Sequence, residues 1–230
     1  MYRVEQREGK SAATPTPAAG RGLLMFDLDG TLIDSREDLT TAVNLLRHDY
    51  GLAPLPVDTV ASYVGDGIRA LVTRSLRGHD IDLDQAVQKC AVHYRKHLHD
   101  RTTLYPGVRE GLEALHGSGY RIALISNKPG ATCLELLSHF KIAPCFSCVL
   151  GGGDTEHLKP HPQPLLEAMR RVGAKPEDSW MIGDHFTDIE AARRAGVRSI
   201  WLSYGIGKTD KDKPEVAFGS FAAMTEFLLR

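Results

Sequence analysis

Short apolar runs punctuate the chain from Leu23 onward: Leu23-Leu24-Met25-Phe26, Arg121-Ile122-Ala123-Leu124-Ile125, Cys148-Val149-Leu150, Trp180-Met181-Ile182 and Ser199-Ile200-Trp201-Leu202. Each is β-prone and too short for a buried helix, and most end at Gly, Asp or Ser. Such runs suit strands covered on both faces of a parallel sheet. Between them, apolar residues at helical spacing predict helices over 107–116, 132–140, 162–172 and 188–195. Alternation of this kind predicts an α/β fold with a doubly wound, Rossmann-like parallel-sheet core.

One stretch breaks the alternation. From 35 to 103 the pattern is helix and loop only, with helical spacing over 38–46, 67–76 and 83–98. The expected organisation is an α/β catalytic core over 21–34 and 104–230, interrupted by an α-helical cap domain over 35–103. Ligands of open α/β sheets sit at the carboxyl ends of the strands, so an insertion directly after the first strand would cover the site as a lid. Residues 1–20, with Ser11-Ala12-Ala13-Thr14-Pro15-Thr16-Pro17, lack the apolar block of a signal peptide and read as a flexible tail.

Composition narrows the function classes. The 230 residues carry a formal net charge of -1, without the basic excess of a nucleic-acid binder. No apolar run is long enough for a membrane span. The four cysteines include Cys145 and Cys148 at CxxC spacing, but Cys145-Phe146-Ser147-Cys148-Val149-Leu150 reads as a buried strand rather than the helix opening a redox pair prefers. A reduced, cytoplasmic protein is expected, a monomer or homodimer whose partner is a small molecule.

The predicted strand ends collect polar groups. The first ends in Asp27 and Asp29, the second in Ser126-Asn127-Lys128, the third in Gly151-Gly152-Gly153-Asp154 with Lys159 soon after, and the fourth in Gly183-Asp184 with Asp188 following. Clustered carboxylates need a cation to stay ionised together, and oxygen-only ligands favour a hard ion such as Mg²⁺ bound beside substrate phosphate. Strand alternation places Asp27 and Asp29 on one side. One can attack phosphorus, giving an acyl phosphate, while the other transfers a proton. Each residue also has an ordinary reading: paired aspartates make turns, Asp188 can cap a helix, and Ser126 can close a local turn. The placement on four successive strand ends is what favours chemistry.

These residues resemble the motifs of the haloacid dehalogenase superfamily, specifically its phosphatases with a helical cap. The first motif stands as Phe26-Asp27-Leu28-Asp29-Gly30-Thr31-Leu32-Ile33-Asp34-Ser35, and the second as Ile125-Ser126-Asn127-Lys128-Pro129. The third is Leu158-Lys159-Pro160-His161-Pro162, and the fourth Met181-Ile182-Gly183-Asp184 with Asp188. The resemblance implies that Asp27 is the nucleophile and a Mg²⁺ ligand. It makes Asp29 the general acid/base, lending its main-chain carbonyl to the metal, and Asp184 the third ligand. Ser126, Asn127 and Lys159 hold the phosphate, and Asp188 supports Lys159 or a metal-bound water.

Within the superfamily the chain most resembles phosphoglycolate phosphatases, through the cap segment from Tyr63-Val64-Gly65-Asp66-Gly67-Ile68-Arg69, the glycine run before Lys159, and Leu202-Ser203-Tyr204-Gly205. This implies hydrolysis of a small phosphomonoester, best represented by 2-phosphoglycolate, with Gly65, Asp66, Gly67 and Arg69 setting specificity. The ordinary reading of Asp66-Gly67 is a turn before a helix, with Arg69 on the solvated face. His185-Phe186-Thr187 departs from the Ser-Arg-Asn more usual there. Sugar-phosphate, nucleotide or pyrophosphate hydrolysis, a phosphosugar mutase, and a non-catalytic binding protein on the same scaffold remain alternatives.

Two further features carry less. His93 and His97 share a helix face at a zinc-compatible spacing near His99, but Arg95 and Lys96 point to a solvated helix. Gly151-Gly152-Gly153 resembles a phosphate cradle, yet no Gly-Lys-Ser/Thr follows.

Overall fold

The computed structural model describes residues 21–209 and 213–230; the tail read over 1–20 lies outside them. In chain order the elements are β1 (Leu23–Phe26), β2 (Ile33–Asp34), α1 (Arg36–Asp49), α2 (Val57–Ala61), α3 (Ile68–Ser75), α4 (Leu83–Lys96), β3 (Thr103–Leu104), α5 (Val108–Gly117) and β4 (Arg121–Pro129). They continue with α6 (Gly130–His139), β5 (Cys148–Gly152), α7 (Gln163–Val172), β6 (Ser179–Gly183), α8 (Phe186–Ala195), β7 (Arg198–Leu202), β8 (Val216–Phe218) and α9 (Phe221–Leu229).

The apolar runs form a six-stranded sheet in the order β5-β4-β1-β6-β7-β8, with every pairing parallel. β1 lies inside the sheet between β4 and β6, and all four of its residues are buried. Because successive strand side chains point to opposite faces, Leu24 and Phe26 join one core with Leu112, Leu136, Phe221 and Met224. Leu23 and Met25 join the other with Leu165, Met169, Ala191 and Ala192. Helices α5, α6 and α9 thus cover one face, and α7 and α8 the other.

Helices α1 to α4 run consecutively between β2 and β3 and pack on one another. Leu39, Val43 and Leu46 of α1 share an apolar cluster with Leu71, Val72, Cys90 and Tyr94. Asp82 opens α4 by accepting from the main-chain N–H groups of Asp84 and Gln85, a standard cap. The chain leaves and re-enters the core through the antiparallel pair β2–β3, Ile33 opposite Leu104 and Asp34 opposite Thr103. Two-residue strands carry no readable period, which is why the sequence showed only loop there. α2, β8 and α9 were also unread.

Asp38 fastens the crossing. Its buried carboxylate accepts from the main-chain N–H groups of Arg101 and Thr102 and from the Thr102 hydroxyl at 2.6 Å. Asp38→Ala strands these donors, and each bond to a charged acceptor contributes about 1.5–3 kcal/mol. Urea unfolding should show a loss of about 3 kcal/mol, partly recovered in Asp38→Asn, while an unchanged midpoint would show that the crossing does not depend on it.

Candidate active site

Since β4, β1 and β6 are adjacent and parallel, their carboxyl ends open on one edge of the sheet. Asp27 follows β1, with its N–H bonded to the Ile182 carbonyl of β6 at 2.9 Å. Ser126, Asn127 and Lys128 lie in the last part of β4 and are buried. Asp184 follows β6, Asp188 sits in the first turn of α8, and Lys159 arrives from the β5–α7 connection.

The Lys159 ammonium joins these strands. It donates to Asp27 Oδ1 at 2.8 Å, to Asp188 Oδ1 at 2.6 Å and to the Ile125 carbonyl at 2.6 Å. Burial alone would pull this ammonium down, but Asp188 and Asp27 outweigh it and hold Lys159 above the usual lysine value. Asp27 shows the opposite balance. Burial pushes its carboxyl up to about 6, against the pull of Lys159 and with the Asp188 charge adding to the rise.

Asp184 is more perturbed still, pushed up to about 8 by burial and then by the Asp27 and Asp188 charges. It is held from several sides: the Thr31 hydroxyl donates to Oδ1 at 3.0 Å, and the Ile206 and Gly207 N–H groups donate to Oδ2 at 2.8 Å. The approach is so close that a Cβ on Gly30, whose φ is +85°, would lie 2.1 Å from Asp184 Oδ2. Gly205 and Gly207 on the far side are equally tight, at 2.3 and 2.7 Å. Only glycine fits at these three places. This nest was not anticipated; the Gly-Ile-Gly after Tyr204 is its one sequence signal.

Asp27, Asp184 and Asp188 each present a carboxylate oxygen within 4.8 Å of the others, the one such grouping found among the described residues. Three carboxylates against one ammonium leave a buried negative excess when all are ionised, and this adds to the burial that raises Asp27 and Asp184. An all-oxygen donor set with surplus negative charge fits a hard divalent cation.

Asp29 stands apart from this cluster. β1 ends at Phe26, so a turn rather than strand alternation places Asp29. Its Oδ1 accepts from the Ser35 hydroxyl at 2.5 Å and from the Lys128 ammonium at 2.9 Å. Lys128 also donates to the Tyr94 hydroxyl of α4 at 2.6 Å. Burial would lower Lys128, but Asp29 and Tyr94 outweigh it and keep the ammonium above its ordinary value. Burial raises Tyr94 to about 12. Neither Lys128 nor Tyr94 was singled out from the sequence, because the link spans separate elements.

Asp27, Asp29, Ser126, Asn127 and Lys128 line a cavity of about 230 Å³ whose opposite wall comes from α1, α3, α4 and the loop before α3. Gly65 and Gly67 belong to that wall. The Asn127 side-chain amide donates to the Gly65 and Lys159 carbonyls at 2.9 Å each, and its oxygen accepts from the Lys159 N–H. Asp66 and Arg69 are not brought to this cavity. Asp66 pairs with Arg74 and faces a separate groove beside His185. Arg69 pairs with Asp84 on the exposed surface, the solvated-face placement open to it from the start.

The remaining features resolve locally. Cys145 and Cys148 are free, buried thiols, raised by burial. His93 bonds Asp49, His97 bonds Asp100, and His99 stacks on His139, so the three do not converge on a metal. Gly151 and Gly152 let β5 approach β4: added Cβ atoms would lie 2.5 Å from Gly130 and 2.7 Å from the Asn127 carbonyl. No helix among the described residues is long and apolar enough to cross a membrane.

The chain matches the haloacid dehalogenase-like hydrolase family over residues 24–202. It is 42% identical over 189 residues to a phosphoglycolate phosphatase of Nitrosospira multiformis, covering 79% of this chain and 83% of that protein. It is 38% identical to one of Psychrobacter arcticus, covering 90% and 96%. The crystal structure of a predicted phosphoglycolate phosphatase from Haemophilus somnus superposes with a TM-score of 0.85 at 30% identity, covering 91% of this chain and 99% of that one. With these relatives, this sheet and this carboxylate-rich strand edge, the chain belongs to the haloacid dehalogenase-like hydrolases and is a phosphatase.

Proposed function

We propose that the protein is a Mg²⁺-dependent phosphomonoesterase that works through a phosphoaspartyl intermediate on Asp27, with 2-phosphoglycolate as its substrate. One observation carries the reading: two aspartates that line the same cavity sit in different charge environments. Asp27 belongs to the carboxylate cluster with Lys159, whereas Asp29 is turned to Lys128 and Ser35. Carboxylates separated in this way take different roles, one as nucleophile and one as proton carrier.

The Asp27 and Asp184 carboxylates, with the Asp29 main-chain carbonyl, would hold Mg²⁺, and Asp188 would support them through Lys159. When bound, the cation supplies charge neutralisation at the phosphate oxygens. Ser126 and Lys159 bind those oxygens. Lys159 already donates three bonds, so engaging phosphate exchanges one of them. The Asn127 side chain is committed to Gly65 and Lys159, which leaves its main chain for the ligand.

Asp27 attacks phosphorus and the bond to the ester oxygen breaks, while Asp29 gives that oxygen a proton. Asp29 then takes a proton from water, which attacks phosphorus, releasing phosphate and restoring Asp27. The segment 35–103 acts as a lid that excludes bulk water and hinges at the β2–β3 crossing. The small cavity, the relatives named phosphoglycolate phosphatase and the buried Lys128 support a compact anionic substrate. Four free, buried cysteines suit a reducing, cytoplasmic setting.

Asp27→Asn should lower Mg²⁺-dependent phosphate release by about 10³-fold or more with the fold intact by circular dichroism. Asp29→Asn should lower it by about 10²–10⁴-fold. Retained turnover in Asp27→Asn would overturn the mechanism.

The raised carboxyls make a second prediction. An acid raised on folding stabilises the native state below its unfolded value, and that contribution is lost as pH rises through the folded value. For Asp27 and Asp184 the window runs from 3.8 to about 6 and about 8. The metal-free protein should therefore lose stability across this range, and Mg²⁺, which binds the ionised forms, should restore it. The rise in Tm given by Mg²⁺ over EDTA should be larger at about pH 8 than at about pH 5. An equal rise at both would exclude this cluster as the metal site.

A further inference from the structure

Lys128 is a buried cation for which the phosphatase mechanism has no direct use. Its side chain is 4% exposed, and it lines the cavity beside Asp29. The ammonium has three N–H donors. Two have acceptors among the described residues, Tyr94 Oη at 2.6 Å and Asp29 Oδ1 at 2.9 Å, and the Tyr94 ring lies 4.4 Å from Nζ. The wall formed by α1 and α3 presents carbon, from Leu39, Ala42, Ile68 and Leu71, while Arg95, Thr132 and Glu135 line other parts of the same cavity. With two of its three donors engaged, the ammonium has one more to offer a ligand in the cavity, and a bond from a charged donor contributes about 1.5–3 kcal/mol.

Asp29, read here as the group that protonates the leaving oxygen, fixes where that oxygen lies. Whatever the leaving group carries next to that oxygen comes within reach of the Lys128 ammonium. We propose that Lys128, positioned by Tyr94, determines leaving-group specificity by binding a carboxylate carried close to the ester oxygen. The inference rests on the assignment of Asp29 under the proposed function.

The alternatives fit less well. A purely apolar leaving group would suit the carbon wall but leave the third Lys128 donor unmet. A hydroxyl would meet it with a weaker, uncharged partner. The volume of about 230 Å³ falls below the roughly 300–1,000 Å³ of sites for drug-sized ligands, which disfavours a nucleotide or a large phosphosugar. The substrate class is then a compact phosphoester of a hydroxy acid.

The test compares 2-phosphoglycolate with ethyl phosphate, in which a methyl group replaces the carboxylate, each assayed with Mg²⁺ on wild type, Lys128→Met and Tyr94→Phe. The readout is the ratio of the two kcat/KM values within each protein, so that any general effect on Asp29 cancels. Wild type should favour 2-phosphoglycolate. Lys128→Met should lower the ratio by about 10²-fold or more, mainly through KM for 2-phosphoglycolate. Tyr94→Phe, which keeps the ammonium but loosens it, should lower the ratio by about tenfold, and it carries the test by itself if Lys128→Met does not fold. A wild type active on both esters whose ratio is unchanged in the variants overturns this assignment alone. A wild type that releases phosphate from neither overturns 2-phosphoglycolate as the substrate, and this assignment with it.

Discussion

The three bonds of the Lys159 ammonium hold the site together. A lone charge in the interior is expensive, several kcal/mol even after relaxation, and Lys159 is tolerated because Asp27, Asp188 and the Ile125 carbonyl all meet it. Those partners come from the end of β1, the start of α8 and the middle of β4. A residue on the β5–α7 connection thereby ties three elements that share no local sequence. Removing the ammonium would leave three crowded carboxylates with no internal counter-charge, and removing Asp188 would leave the ammonium with Asp27 and the Ile125 carbonyl. The sheet order places β4, β1 and β6 side by side, and the ammonium turns that adjacency into a defined cluster.

Charge is then divided between two cations. Lys159 serves the cluster of Asp27, Asp184 and Asp188, and Lys128 serves Asp29. Asp27 and Asp29 are two residues apart, yet each has its own ammonium, so neither simply repeats the other. Asp184 is held differently, by main-chain N–H groups and a hydroxyl. These dipoles orient the carboxylate without neutralising it. The cluster thus keeps three carboxyl groups against one ammonium, a donor set that could hold a cation.

The parts legible in the sequence were those with a local signature. β1, β4, β6 and β7 read as strands because buried parallel strands are continuous apolar runs, and the helices at 107–116 and 162–172 read from their spacing. The aspartates read as a group because each follows such a run. Contacts made across the fold left no local trace: Lys128 with Tyr94 of α4, Thr31 with Asp184, and Asp38 with the far crossing. Very short elements escaped as well, since β2, β3 and α2 have too few residues to show a period. Arg69 shows the reverse limit. Its helical position was right, but which face of α3 meets the cavity depends on packing, and α3 turns Leu71 and Ile68 inward while Arg69 reaches out to Asp84.

The contact between the helical segment and the core also bears on the His185-Phe186 departure. A Cβ on Gly65, whose φ is +120°, would lie 2.7 Å from the His185 ring, while the Gly65 carbonyl accepts from Asn127 on the other side. Gly65 is thus pinned between a strand-end amide and an imidazole, and the residues chosen at 65 and 185 depend on each other. The unusual histidine is then a packing partner for the loop before α3, and it sits on the groove side, with Asp66 and Arg74, rather than in the cavity wall. On this geometry the departure bears on the contact between the helical segment and the core. The cavity wall itself holds Lys128, Tyr94, Arg95, Glu135 and the carbon surface of α1 and α3, and His185 is not part of it.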